Sequence, residues 1–342
     1  SIPLCLRSDA GSQCLIMTQP QQAVKLDGEQ CPQWLLPNAN GSGYYRWSLD
    51  RVRWQALLDN FAQFTPTEVL SIIGNAFAAF EAGTLPEEIL IEVIRKSAAN
   101  QQRQVVTAPL VYLQKYRQDY VGDENLADFL QFVSGLYQPV LDRTADSRNT
   151  EEQLLHSELL SFMALTVGDK TARKQLADKA IAFTGFQRER DPKALDSDLY
   201  EAALKVAVQD AGADFLPHLV KARGELDDPR FDNASAIAMG AANNPAQVTQ
   251  VQELALGEDM GAGETFELIM QALAEPAVQQ LHWQWLRANF PAVLRKIPEQ
   301  WRRHTPAFTR AFCNQQALSD MLKLFEQYGE QATGYQRSLA QT

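Results

Sequence analysis

Apolar side chains in the first 50 residues come in short, partly alternating runs, at 2–6, 15–18, 23–26 and 44–49. Asp-Ala-Gly-Ser, Asp-Gly and Asn-Gly turn chemistry separates them, and period-two runs bounded by such turns predict a strand meander. From Val52 onward the period becomes 3.6. Trp54, Leu57, Leu58 and Phe61, then Val69, Ile72, Ile73, Ala76, Phe77 and Phe80, fall at i, i+3, i+4 and i+7, so each segment has one apolar face. Between the two segments lies Thr65-Pro66-Thr67-Glu68. A hydroxyl and a carboxylate at this spacing satisfy orphan amides reciprocally, and a proline at the first helical position has no amide to leave unsatisfied. The spacing predicts a helix start at Pro66.

The helical pattern recurs at 86–97, 105–120, 125–143, 151–167, 170–183, 196–211, 214–223, 232–239, 245–256, 263–274, 277–294 and 315–328. Each run has the length of an ordinary helix, about 8 to 20 residues. The breaks are short and polar: Gly122-Asp123, Gly168-Asp169, Asp191-Pro192, Asp228-Pro229, Asn243-Asn244-Pro245. Many helices of similar length with no strands between them predict a mainly α fold, an α-α superhelix of the HEAT- or armadillo-like solenoid kind. No fixed repeat of about 34 or 40 residues aligns, so the repeat is degenerate. Residues 1–50 are assigned to a short, partial antiparallel β-sandwich and 51–342 to the α-helical solenoid domain. The β part is small, since an independent sandwich normally needs about seven strands.

A formal net charge of −11 and a pI near 5.0 oppose attraction to phosphate backbones and anionic lipid, which argues against nucleic acid as a partner. No run approaches the roughly 20 apolar residues of a membrane span, and the opening SIPLCLRSDAG lacks the order of a signal peptide. The chain begins at Ser1 without Met, which suggests a piece or a processed product that has lost any targeting information preceding it. The four cysteines, Cys5, Cys14, Cys31 and Cys313, are too scattered for a zinc ribbon or a Cys-x-x-Cys redox pair. A hairpin turning at Ser8 to Ser12 places Cys5 opposite Cys14. A disulfide there favours an extracytoplasmic home, whereas two buried thiols favour the cytoplasm. Ala311-Phe312-Cys313 reads as a buried apolar helix start.

Catalytic constellations are missing from the sequence. None of His156, His218, His282 and His304 has a second His four residues on with Glu between, the pattern that lets two imidazoles of one helix face share a zinc ion. The nearest miss, His156-Ser157-Glu158, puts its polar groups on different helix faces, and His156 reads as a helix-surface histidine. There is no Gly-x-Ser-x-Gly nucleophile elbow. Gly257-Glu258-Asp259-Met260-Gly261-Ala262-Gly263 lacks the lysine of a phosphate loop and is acidic, so it reads as a mobile helix–helix connection. Glu87-Glu88, Glu151-Glu152 and Asp227-Asp228 sit at helix starts, where they complement the dipole. The run His282-Trp283-Gln284-Trp285 spreads rings around a helix and is read as intramolecular packing.

One stretch is specific. Pro37-Asn38-Ala39-Asn40-Gly41-Ser42-Gly43-Tyr44-Tyr45-Arg46 resembles the Pro-Asn-x-x-Gly-x-Gly-Tyr-Tyr-Arg segment of gluzincin zinc aminopeptidases, the family of aminopeptidase N and the endoplasmic-reticulum aminopeptidases. The likeness extends to Ser1-Ile2-Pro3-Leu4, to 233–240 with Leu254-Ala255-Leu256, and to Glu275-Pro276 through Trp283-x-Trp285-Leu286-x-x-Asn289-Phe290. It also takes in Phe312-Cys313 and the closing Arg337-Ser338-Leu339-Ala340-Gln341. In that family the segment is the last strand of a small β-sandwich leading into the C-terminal helical domain. The resemblance therefore implies a sheet lacking its first strands, with edges left exposed or paired with another copy.

The family's His-Glu-x-x-His helix, Gly-x-Met-Glu-Asn segment and transition-state tyrosine lie in a preceding thermolysin-like domain, and none of them carries over to this sequence. The resemblance implies a non-catalytic C-terminal region of a zinc aminopeptidase-like hydrolase, whose partners are a peptide or protein and the missing N-terminal catalytic domain. It would close the substrate chamber and contact the distal part of the peptide. No catalytic residue, metal ligand or cofactor is assigned to this chain; zinc belongs to the resembled parent. Tyr44, Tyr45, Arg46 and Trp47 are expected at the interdomain joint. Asn38, Asn40, Gly41 and Gly43 are expected to supply positive φ before it, with Tyr45 and Trp47 on one strand face and Tyr44, Arg46 and Ser48 on the other. One set would pack on the sandwich and the other on the first helices. Arg287, Arg295 and Lys296 are the candidate contacts to a peptide carboxylate. The alternative is a stand-alone α-solenoid interaction scaffold without the enzyme's chemistry.

Overall fold

The computed structural model of the chain describes residues 1–26, 30–312, 315–332 and 334–339. The chain divides into two compact units, Ser1–Phe162 and Met163–Thr342. It is mainly α, with a small three-stranded antiparallel sheet at its start.

In the first unit, β1 (Ile2–Ser8) and β2 (Gly11–Met17) form a hairpin. Its register sets Cys5 opposite Cys14, and the two are joined in a disulfide. Of the two readings left open for this pair, the bridge is the one found. Cys31 is free and exposed. The third strand, β3 (Leu35–Leu36), pairs with β1 only at Arg7 and Ser8, so the sheet order is β2-β1-β3. The expected strands at 23–26 and 44–49 form no ladder. At 44–49 burial alternates as in a strand, with a bend at Tyr45. The segment's hydrogen-bond acceptors come instead from a helix: the Trp47 amide donates to the Asn75 side chain at 2.9 Å.

Helices follow from Asp50, whose carboxylate accepts from the Arg53 amide and starts α1 (Arg51–Asp59). The expected capping box at Thr65 and Glu68 starts α2 (Pro66–Glu81). Next come α3 (Glu87–Ala98), α4 (Arg103–Thr107), α5 (Leu110–Asp119), α6 (Asp123–Thr144) and α7 (Thr150–Phe162). The single helix expected over 105–120 is two, α4 and α5, broken at Pro109, which has no amide to donate and whose ring clashes with the preceding turn. Neighbouring helices pack as α2 on α3, α3 on α6 and α6 on α7. Trp54, Leu57, Leu58, Ile72 and Ile73, on the apolar faces read from the sequence, are fully buried.

The second unit opens with a π-helical turn, Met163–Val167, followed by α8 (Lys170–Thr184), α9 (Tyr200–Asp210), α10 (Phe215–Glu225), α11 (Pro229–Gly240) and α12 (Val248–Leu256). It continues with α13 (Ala262–Ala274), α14 (Gln279–Lys296), α15 (Glu299–Arg302), α16 (Gln315–Tyr328) and α17 (Tyr335–Leu339). The inner helices pack serially, α8 on α9, α9 on α11, α11 on α13 and α13 on α14, the one-dimensional order expected of a solenoid. α16 has the bounds read from the sequence. α15, α17 and the 3-10 turn at Thr305–Thr309 escape that reading because each is five residues or fewer. Ala311 is exposed and Phe312 half-buried, so the buried helix start expected there is not found; Cys313 lies outside the described residues. The 257–261 loop does not hang free: Met260 is buried and Lys296 donates to the Gly257 carbonyl at 2.5 Å. Among the described residues no helix is long and apolar enough to cross a membrane.

Candidate functional site

The 37–47 segment is a closed turn held by side chains. Asn38 is buried, and its amide spans the turn like a strand partner: Oδ1 accepts from the Gly43 amide at 2.8 Å and Nδ2 donates to the Gly43 carbonyl at 3.0 Å. The reversal between them uses left-handed backbone at Asn40 (φ 57°) and Gly41 (φ 63°). Asn38 is not left-handed, with φ −137°; its part is played by the side chain. Gly43 is required for a different reason. A Cβ there would lie 2.0 Å from the Tyr45 ring, which folds back over the turn so that its hydroxyl donates to the Pro37 carbonyl at 2.6 Å. Burial raises the Tyr45 phenol above its ordinary pKa and keeps it a donor.

Beyond the turn, Tyr45 and Trp47 face inward and Tyr44, Arg46 and Ser48 outward, the alternation expected of an extended segment. Trp47 stacks on Trp54 of α1, centroids 4.9 Å apart. Arg46 donates to the Gly74 carbonyl on α2 at 2.9 Å. Tyr44 makes no such contact: its side chain is fully exposed, so the set it shares with Arg46 and Ser48 does not pack as a whole. What sequence reasoning missed is the second role of Glu68. Besides capping α2, its buried carboxylate accepts from the Asn40 amide at 3.1 Å and pairs with Arg7 of β1, whose guanidinium lies 5.6 Å from the Trp34 ring centre. The signal for the cap was local, whereas the pairing with Arg7 crosses 61 positions.

In the second unit, α14 and α16 bound an open groove of about 440 Å³, and Arg287 lines it together with Gln284, Asp320, Lys323 and Gln327. Arg287 pairs with Asp320 at 2.7 Å; the aspartate is 6% exposed and also accepts from Gln316 at 2.9 Å. Lys323 stands 4.0 Å from the same carboxylate. The groove thus holds two cations and one carboxylate. Arg295 is exposed, one residue before Lys296, whose ammonium is engaged by Gly257; neither lines the groove. Asp320 and Lys323 were not singled out from sequence. Their only local signal is a polar i, i+3 pair beside Ala317, Met321, Leu324 and Phe325 on an otherwise apolar helix face.

The histidines sit in separate surroundings. His156 lies 3.2 Å from the Thr144 hydroxyl and is half-buried, less exposed than the surface position expected of it. His218 contacts the Thr184 carbonyl and the Phe186 ring, and His304 faces Arg303. His282 is buried, as is Trp283, which packs on Phe312, so this part of the aromatic run is turned inward. Among the described residues no three His, Cys, Asp or Glu side chains are grouped to hold a metal ion.

Serially packed helices behind a short sheet, entered through the Asn38–Gly43 turn, define an aminopeptidase-type C-terminal domain. The profile of the ERAP1-like C-terminal domain matches residues 34–342, and the chain belongs to that family. The match begins just before the turn and includes every helix. The thyrotropin-releasing hormone-degrading ectoenzyme of Homo sapiens is 40% identical over 68 residues, a stretch that is 18% of this chain and 6% of that protein. The Rattus norvegicus and Mus musculus ectoenzymes are 38% identical over stretches of the same extent. The chain matches only a small part of the length of these relatives.

Proposed function

We propose that this chain is the non-catalytic C-terminal region of a zinc aminopeptidase-like protein. With its sheet and its helices joined through the Tyr44–Trp47 segment, it acts alongside a catalytic domain, closes the substrate chamber and contacts the distal part of peptide substrates. Zinc belongs to the catalytic domain, and this chain supplies no ligand to it. The disulfide suits an oxidising, extracytoplasmic compartment.

The observation that carries the reading is the groove beside Arg287. In a chain of net charge −11, it gathers two cations around one buried carboxylate and so retains one positive charge to offer a peptide's terminal carboxylate. Arg287, with its planar fork, binds, and Lys323 adds a point charge. Lys296, already engaged, and Arg295, outside the groove, are secondary.

Fluorescence anisotropy of a labelled peptide added to the full chain tests this. A free C-terminal carboxylate binds more tightly than the amidated peptide, and Arg287→Ala with Lys323→Ala removes the difference, a change of about tenfold for one charge-assisted contact. Equal binding of both peptides defeats the proposal.

A further inference from the structure

A second cavity, of about 540 Å³, lies wholly within the first unit between α3, α5 and α6, and no part of the proposed peptide contact uses it. Its volume is that of a small-molecule site. Leu90, Ile94 and Leu113 form a buried apolar floor. One wall is aromatic: Tyr116 lies 5.3 Å from Tyr120 and 6.1 Å from Phe129, centre to centre. Glu87 and Asp128 stand exposed at the mouth, and among the described residues no lysine or arginine lines the cavity.

These features share one sign. Ring faces carry negative electrostatic potential, and the charged groups in the described lining are the carboxylates of Glu87 and Asp128. The Tyr116 hydroxyl donates to Glu87 at 3.2 Å, and burial followed by the charge of Glu87 raises its pKa, so the phenol stays neutral. The rings at the margin already attract cations: Arg95 stands 5.1 Å over Phe132, and Lys115 5.8 Å from the centre of Tyr120. Neither cation is among the described residues that line the cavity, and Lys115 is paired with Glu81 at 3.2 Å.

We propose that this cavity binds a small organic cation, an ammonium group on an aromatic or branched alkyl body. The body rests on Leu90, Ile94 and Leu113, and the charge lies between the tyrosine rings and the two carboxylates. An anion is repelled, and a neutral analogue of the same shape keeps only the apolar contact.

Calorimetric titration of the full chain near physiological salt, with 2-phenylethylammonium, 2-phenylethanol and 3-phenylpropionate as probes, separates these cases. The ammonium binds about tenfold more tightly than the alcohol, and the carboxylate most weakly. Glu87→Gln with Asp128→Asn, both exposed and outside the core, brings the ammonium down to the level of the alcohol and leaves the alcohol unchanged. Tyr116→Leu weakens both. The chain is acidic overall, so Asp178→Asn with Glu201→Gln, both exposed and in the second unit, serves as the charge control and leaves the preference intact. Equal binding of ammonium and alcohol, an equal loss in the control pair, or no saturable binding of the ammonium overturns the assignment.

Discussion

The guanidinium of Arg7 on β1 is ion-paired with the fully buried carboxylate of Glu68 in the first turn of α2. The same carboxylate accepts from the Thr65 and Asn40 amides, at 2.9 and 3.1 Å, so one side chain fixes the sheet, the turn and the helix start together. Glu68→Ala leaves two amides without an acceptor and a part-buried guanidinium with the Gln63 carbonyl but no counter-charge. Removing one partner of such a pair costs about 3–5 kcal/mol. Glu68→Gln keeps the shape and one acceptor oxygen and loses less. Thermal unfolding followed by tryptophan fluorescence checks both. A loss below about 1 kcal/mol for the alanine variant, the level of a surface pair, contradicts the role given to Glu68.

Gly43→Ala displaces Tyr45. A methyl group 2.0 Å from the ring cannot be accommodated unless the ring leaves the turn and gives up its hydrogen bond to Pro37. Overpacking of this kind costs about 1–3 kcal/mol. The freed phenol also loses the burial that raises its pKa, so in an NMR titration the Tyr45 ring shifts at lower pH in the variant than in the parent chain.

What was legible in the sequence was local. The capping box at Thr65 and Glu68, the apolar faces around Trp54 and Ile72, and the hairpin opposing Cys5 to Cys14 all follow from spacings of a few residues. The misreadings are tertiary. Residues 44–49 have the alternation of a strand, but Asn75 supplies the acceptor that a neighbouring strand would have offered. Arg287 stood out as a cation on a helix, while Asp320, which holds it, is 33 residues away and became its neighbour only when α16 packed on α14. Pro109 is the exception: it was a local signal for a break, and the apolar period running through it concealed it.

Tyr137 on α6 is fully buried and its hydroxyl has no hydrogen-bond partner among the described residues; burial pushes its phenol pKa far up. Tyr137→Phe removes an uncompensated polar atom and keeps the ring against Phe162. The variant is more stable by about 1 kcal/mol, read from its urea unfolding midpoint. Destabilisation of similar size signals a partner for the hydroxyl and contradicts the burial argument.

Glu275 bears on stability at neutral pH. Desolvation raises its pKa above the ordinary carboxylate value, against the lowering effects of Gln271, Lys205 and Arg173. A carboxylate with a raised folded-state pKa contributes stability at low pH that is lost as pH rises through that value. Glu275→Gln therefore raises the melting temperature at pH 7, and the gain vanishes in acid. The Gln209 amide is oriented by Arg173 and the Ala241 carbonyl and still finds an oxygen acceptor, while the Gln271 amide turns over to accept. A melting temperature unchanged at pH 7 counts against the burial of this charge.

His282 gives the opposite sign. Its ring is buried and Nε2 has no hydrogen-bond partner among the described residues, and desolvation lowers its pKa from 6.5 to about 4. The unfolded chain takes up a proton near pH 6.5 that the folded chain refuses until about pH 4, so stability is full above the first value and falls as pH drops between them. Between pH 7 and pH 5 the loss attributable to this residue is roughly 2 kcal/mol. His282→Leu, apolar and of comparable volume, abolishes that part of the acid sensitivity, so the difference in stability between the two chains changes by the same amount over the same interval. NMR titration of the imidazole provides the independent check. A midpoint near 6.5 in the folded chain would show that water reaches the ring, and the acid sensitivity would then have to arise elsewhere.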